Sequence, residues 1–320
     1  MTKMNVSVFS LLAVAGSISS VALAQDLAVD QAQPARVIGT VSPSFMIYKG
    51  KQYPVKSHGV TDTNNIDVYT NTPAAAFYTT WYALWARRYL HEFGVTSEDF
   101  GRVAVTDRAH AATNPAAHFY GKPITLEDHQ SSRWIVEPLH LLDCCQETDG
   151  GQAILVTSLE RARDLRQPPV VIDAAAQGMA DDQQMMRSYF RDSLVGLPEM
   201  GTCARQLWET SGLGPDDIRT AVIYDHFTPF VLPQLEEFGF CGRGEAKDFI
   251  RSGEIGLDGR LPVNTHGGQL GEAYLHGMNG IAEGVRQVRG TSVNQVPDVG
   301  HVLVTAGTGV PTSALILGKE

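Results

Sequence analysis

The chain has 320 residues, 43% of them hydrophobic and 19% charged, which excludes a disordered or fibrous protein and gives core enough for one large domain or two. Its net charge of −10 excludes a generally basic surface and argues against nucleic-acid binding. The four cysteines (Cys144, Cys145, Cys203 and Cys241) lack CxxC spacing, so neither a disulfide scaffold nor a structural metal is expected.

Residues 1–24 have the pattern of a secretory signal: Lys3, an apolar stretch of small residues, then Ala22-Leu23-Ala24 as a cleavage motif. Serines and glycine interrupt that stretch, and no later segment reaches the ~20 apolar residues of a membrane span. Residues 25–72 carry two short strand patterns, at 36–40 and 45–48, followed by a polar, turn-rich linker at 59–72. From Pro73 the text changes. Phe77, Trp81, Leu84 and Tyr89 recur at near-helical spacing until Gly94. Thr96-Ser97-Glu98-Asp99 caps a second helix, which Asn114-Pro115 ends. Residues 125–134 read as irregular or briefly helical. Residues 153–157 form an apolar strand, and a short helix opens at Ser158. Beyond Pro168 the apolar runs 169–172, 220–224, 301–305 and 313–317 read as strands. Helices over 203–211, 230–238 and around Met278, Ile281, Val285 and Val288 lie between them. Helices alternating with buried strands indicate an α/β layered fold.

The most informative run is Asn264-Thr265-His266-Gly267-Gly268-Gln269-Leu270-Gly271-Glu272-Ala273-Tyr274-Leu275-His276-Gly277. It resembles the thiolase stretch in which an Asn-x-x-Gly-Gly turn leads to Gly-His-Pro and a helix. Tyr224-Asp225-His226-Phe227 stands where a thiolase carries Asn-Glu-Ala-Phe. Asp149-Gly150-Gly151-Gln152-Ala153 is similar to the turn near the end of the thiolase N-terminal domain, and Gly307-Thr308-Gly309 to the Gly-rich closing loop. Four motifs in the right order carry the resemblance over about residues 74–320. It implies a thiolase-like layered α/β fold with a complete C-terminal half, 165–320, and a partial N-terminal half, 73–164. The signal-like segment 1–24 and the unassigned segment 25–72 occupy the place of the missing part.

The departures narrow the resemblance. Tyr224 replaces the oxyanion-hole Asn, Tyr274 replaces the catalytic His, and the closing loop lacks its Cys. These changes resemble the lipid-transfer-protein-like branch, which includes the steroid side-chain aldolases. That resemblance implies an acyl-CoA substrate and retro-aldol cleavage of a β-hydroxyacyl-CoA by the two tyrosines. It implies no cofactor beyond the coenzyme A of the substrate, a homodimer, and an OB-fold hydratase-associated partner. It also implies CoA chemistry in the cytoplasm, whereas the signal-like start points to export.

A retro-aldol needs one group to take the β-hydroxyl proton and another to stabilise or protonate the enolate. Two phenols suffice, either with one ionised, against an ordinary pKa near ~10, or by a concerted transfer. Asp225, His226, His266 and His276 lie in the same motifs as supporting residues. Gly267, Gly268, Gly307 and Gly309 are expected to permit tight turns and close ligand approach. Arg286 and Arg289 either attract CoA phosphates or simply solvate a helix face. Two other readings stay open. An acetyl-CoA acetyltransferase-type acyltransferase requires a reactive cysteine, and acidic Asp143, Glu147 and Asp149 beside Cys144 and Cys145 disfavour a thiolate there. A half-fold that only binds lipid, acyl-CoA or a partner requires no catalysis.

Overall fold

The structure is a computed structural model that describes residues 45–48, 51–54, 78–180, 193–307 and 312–320. The signal-like segment, the strand at 36–40, the linker at 59–72, Thr308 and Gly309 lie outside these residues. The described residues fall into two units divided at about residue 80. In the first, strand β1 (Phe45–Tyr48) pairs antiparallel with β2 (Lys51–Pro54), a strand the sequence pattern did not announce.

The second unit opens with helices α1 (Tyr78–Phe93) and α2 (Ser97–Thr113). The Asp99 carboxylate accepts the Thr96 N–H at 2.8 Å and so starts α2 where the capping motif indicates. Helix α3 (Leu126–Ser131) resolves the ambiguous stretch. A small antiparallel pair follows, β3 (Trp134–Val136) with β4 (Leu139–His140). Then come α4 (Leu159–Arg163), β5 (Val170–Gly178), α5 (Pro198–Ser211), β6 (Ile218–Val222), α6 (Val231–Glu237) and α7 (Ala246–Arg251). The chain closes with α8 (Gly268–Gly271), α9 (Met278–Arg289), β7 (His301–Ala306) and β8 (Thr312–Lys319).

The main sheet has the order β5-β8-β7-β6; β7 is antiparallel to β8 and parallel to β6. Its central strands are buried along nearly their whole length, as continuous apolar runs demand. Helix α9 covers one face. Ile281 and Val288 pack against Val222, Val302, Val304, Leu315 and Leu317, with Met278 and Val285 at the margin, so the helical face expected from spacing is the buried one. Gly280 and Gly284 bring the helix close: a Cβ on Gly280 would come within 2.7 Å of Val222, and one on Gly284 within 2.8 Å of Leu317. Helix α5 packs on β5 and β8, where the Cys203 thiol reaches the carbonyls of Ala176 and Thr312.

Two expectations need correction. Residues 153–157 are not a strand. They run without a ladder, with Leu155 79% and Val156 48% exposed. An apolar run becomes a strand only where neighbouring backbone takes up its N–H and C=O groups, and no described strand lies beside this one. The run at 169–172 is not fully buried either. It belongs to the longer edge strand β5, half-buried over its first four residues.

Candidate active site

Tyr224 stands two residues beyond the end of β6. Asn264 Oδ1 accepts the Ile223 N–H at 2.9 Å, and Thr305 Oγ1 accepts the Tyr224 N–H at 2.9 Å. Gln234 completes the clamp. Its Nε2 donates to the Tyr224 carbonyl at 2.8 Å, and its Oε1 accepts the Thr305 hydroxyl at 2.6 Å. All these residues are buried, so the tyrosine backbone is held from α6, β7 and the 264 turn together.

Tyr274 lies on the turn between α8 and α9 and is partly exposed. Its N–H donates to Thr148 Oγ1 at 3.3 Å. The two tyrosines, 50 residues apart in sequence, meet at their hydroxyls, with Tyr224 donating to Tyr274 at 3.3 Å. This is well inside the ~10 Å needed to flank one reacting group, and longer than an ideal hydroxyl pair at ~2.7–2.8 Å. Tyr224 is only 6% exposed, so Tyr274 is the more accessible member of the pair.

Burial, and then the neighbouring Tyr274, push the Tyr224 phenol well above its ordinary range. Of the two chemical routes open to a tyrosine pair, Tyr224 is therefore suited to concerted transfer and not to a standing phenolate. Two imidazoles flank the pair. The His226 ring is 5.0 Å from that of Tyr224, and the His276 ring 4.5 Å from that of Tyr274. Burial, with repulsion from His276 second, lowers His226 to about 3, and burial lowers His276 as well. Both are neutral at pH 7. His266 belongs to the buried layer beneath: its carbonyl accepts from Asn114 at 3.0 Å, and its Nε2 is 3.8 Å from Glu272.

Asp225 anchors the second motif to the first. Its carboxylate accepts the N–H groups of Gln269 at 2.7 Å and Leu270 at 3.1 Å, at the start of α8. Gly268, at φ 66°, makes this possible, since a Cβ there would fall 2.1 Å from Asp225 Oδ2. Gly267 has φ 110°, and its Cβ would fall 2.5 Å from that of Ala111. The close approach expected at these glycines is thus made by the protein's own Asp225 and Ala111, not by a ligand. Gly307 has φ 76°, consistent with a tight turn.

Behind Asp225 lies a carboxyl that sequence reasoning missed. Asp107 of α2 is fully buried and hydrogen-bonded to Asp225. Burial, then the charge of Asp225, push Asp107 well above the usual carboxylate range. Burial raises Asp225 too, but the Asp107 hydrogen bond and the α8 N–H groups favour its charged form. Two buried carboxylates in contact favour retaining a proton between them, and the upward push is the stronger at Asp107. The available signal was a carboxylate on the buried face of α2, in register with Val103, His110 and Ala111.

No cysteine is activated. Burial and then Asp143 raise Cys144 to about 12. Burial and then Glu199 do the same for Cys203, and burial and then Glu236 for Cys241. Cys145 is pushed up by burial and by Asp225. Arg286 faces Glu283 at 3.3 Å and Glu272 at 3.7 Å, and Arg289 donates to the Pro168 carbonyl, so both arginines serve the protein's own structure. Among the described residues no cluster of His, Cys, Asp or Glu is placed to hold a metal ion, and no helix is long and apolar enough to cross a membrane.

Residues 181–319 match the family described as "Thiolase C-terminal domain-like". The chain is 68% identical over 262 residues to the 17-hydroxy-3-oxo-4-pregnene-20-carboxyl-CoA lyase of Mycobacterium tuberculosis, covering 82% of this chain and 67% of that protein. It belongs to the thiolase superfamily, in the branch of the steroid side-chain aldolases. This thiolase-superfamily chain is also 70% identical over 250 residues to the steroid side-chain-cleaving aldolase of Thermomonospora curvata, covering 78% of this chain and 63% of that one. A solved structure of the Ltp2-ChsH2(DUF35) aldolase superposes with a TM-score of 0.76 at 65% identity, covering 83% of this chain and 70% of that one. The chain thus spans about two thirds of the length of these curated relatives. The layered α/β sheet of β5 to β8 with α5 and α9 is the thiolase-like arrangement that the motifs implied.

Proposed function

We propose that this protein is an aldolase-type lyase that cleaves a β-hydroxyacyl-CoA of the steroid side-chain class, with Tyr224 and Tyr274 as its catalytic residues. The single observation that carries this reading is the 3.3 Å contact between their hydroxyls, in the two motifs that resemble those bearing the catalytic groups of thiolases. The relatives named as an acyl-CoA lyase and a steroid side-chain-cleaving aldolase support the substrate class. The solved Ltp2-ChsH2(DUF35) complex supports a second polypeptide of the DUF35 type as partner. A homodimer is part of the same reading.

The reaction follows as a proton relay. The Tyr224 oxygen accepts the β-hydroxyl proton as the Tyr224 proton passes to the Tyr274 oxygen. The Tyr274 proton passes to the substrate α-carbon. The Cα–Cβ bond breaks, its electron pair forms the new Cα–H bond, and the β-oxygen becomes a carbonyl. The products are a ketone and a shortened acyl-CoA, with atoms and charge balanced and no phenolate required. That suits Tyr224, whose surroundings hold it neutral. Neutral His226 and His276 orient the rings. An acyltransferase reading loses its support with the four inactive thiols.

The test is incubation of the protein, with its DUF35-type partner, with β-hydroxyacyl-CoA esters, following release of ketone and shortened acyl-CoA by mass spectrometry. Tyr224→Phe and Tyr274→Phe are each expected to lower kcat at least ~100-fold. The double variant should be little worse than either single one, because the relay acts as a unit. Full activity in both single variants overturns the reading.

A further inference from the structure

Tyr274 sits on a partly exposed turn, yet its hydroxyl must be held within bonding reach of a buried partner. Besides the bond from its own N–H to Thr148, the turn is tied from inside by two side-chain amides, of which Gln269 holds the other. Gln269, only 3% exposed, uses its Oε1 to accept the Leu275 N–H at 3.1 Å and the Gly277 N–H at 3.3 Å. Its Nε2 donates to Asn279 Oδ1 at 2.8 Å. Asn279 Nδ2 in turn donates to the Ala273 carbonyl and to Glu272 Oε2, both at 3.0 Å. The residues on both sides of Tyr274, Ala273 and Leu275, are thus gripped through Gln269 and Asn279.

The same residue is fastened to the other tyrosine. The backbone N–H of Gln269 donates to Asp225, the residue next to Tyr224 in the chain. Bonds therefore run without interruption from Tyr224 through Asp225 and Gln269 to Leu275 and Tyr274. Several of the groups in this path are buried, where an unpartnered polar group is costly and the geometry is correspondingly firm.

We propose that Gln269 is the positioning residue that sets the distance between the Tyr224 and Tyr274 hydroxyls. It touches no reacting atom; it acts through the turn that carries Tyr274. This rests on the proposed lyase reading for its catalytic meaning, but the positioning itself has a readout without turnover.

The experiment uses the full chain with tyrosines labelled at 13Cζ, the Tyr274 resonance being assigned by its loss in Tyr274→Phe. In the wild type, Tyr224→Phe removes the hydrogen-bond partner and shifts the Tyr274 resonance. In a Gln269→Leu background the hydroxyls have already separated, so Tyr224→Phe should no longer shift it. Gln269→Glu keeps the acceptor for Leu275 and Gly277 and should restore the shift; it also serves if Gln269→Leu does not fold. In turnover, Gln269→Leu should lower kcat about 100-fold with little change in KM, as expected for a displaced catalytic group. A full Tyr224-dependent shift persisting in Gln269→Leu overturns the proposal, as does a Gln269→Glu protein that folds but shows no shift. A wild type that shows the coupling but cleaves no β-hydroxyacyl-CoA sinks the lyase reading and leaves the positioning role standing.

Discussion

Two apolar runs of this chain are nearly interchangeable as text and have opposite fates. Ala221-Val222-Ile223 runs along β6 and on to Tyr224, paired with β7 and buried. Ala153-Ile154-Leu155-Val156 lies unpaired, with Ile154 alone turned onto the core and Leu155 79% exposed. The difference is not composition but company. β6 has a parallel neighbour in β7 and a bridge from Ala221 to Val263 on its other side. The 153–156 run has no described strand beside it, and only Ile154 packs on the core of the sheet. Where backbone pairing is supplied, side chains alternate into a core and a catalytic group can be mounted at the strand end. Where it is not, one residue of the run reaches the core and its neighbours stay exposed.

Each side of this comparison can be pressed. The largest effect belongs to the sheet. Leu303→Ala in the middle of β7 removes a fully buried side chain and is expected to cost about 2–5 kcal/mol of stability, read as a fall in the denaturation midpoint. A loss below ~1 kcal/mol would mean that the sheet tolerates cavities and is not the rigid mount described here.

A smaller effect, of opposite sign, is expected one layer away. The Asp107 carboxyl has a raised pKa in the folded chain, whereas in the unfolded chain it ionises near ~3.9. Its contribution is complete below the unfolded value and is lost as pH rises through the folded one. Asp107→Asn keeps a hydrogen-bond donor toward Asp225 and removes the titration. It should therefore raise the melting temperature at pH 8, and the gain should shrink toward pH 4. A thermal melt series across that range checks it. A variant equally destabilised at every pH would show that Asp107 is charged in the fold.

The smallest effect is expected in the open run. Leu155→Ser removes an exposed leucine that packs little, so the change in stability should stay within ~0.5 kcal/mol. If it destabilised the protein as much as Leu303→Ala, the run would have a packing partner that its exposure does not show.

How much of this was legible in sequence differs between parts of the site. The strand ahead of Tyr224, the turn carrying Tyr274 and the buried face of α9 followed from apolar spacing and glycine placement, because those features obey local backbone rules. Cys144 and Cys145 were readable as poor nucleophiles from their acidic neighbours in the chain, whereas the burial that raises Cys203 and Cys241 appears only in the fold. The Tyr–Tyr pairing came from a motif resemblance and not from spacing.

What tertiary structure alone decided is long-range. Asp107 lies 118 residues before Asp225, and nothing in the local text of α2 says that its carboxyl meets another carboxyl and keeps a proton there. Thr305 and Gln234 fix the Tyr224 backbone from two further elements, and Gln269 grips the Tyr274 turn by a side-chain amide whose role in sequence is silent. The fate of the 153–156 run was undecidable for the same reason. Periodicity, caps and turns arise from interactions within a few residues, so the sequence by itself determines them. Hydrogen-bond partners, burial and shared protons depend on which distant segments the fold brings together, and only the assembled chain settles those.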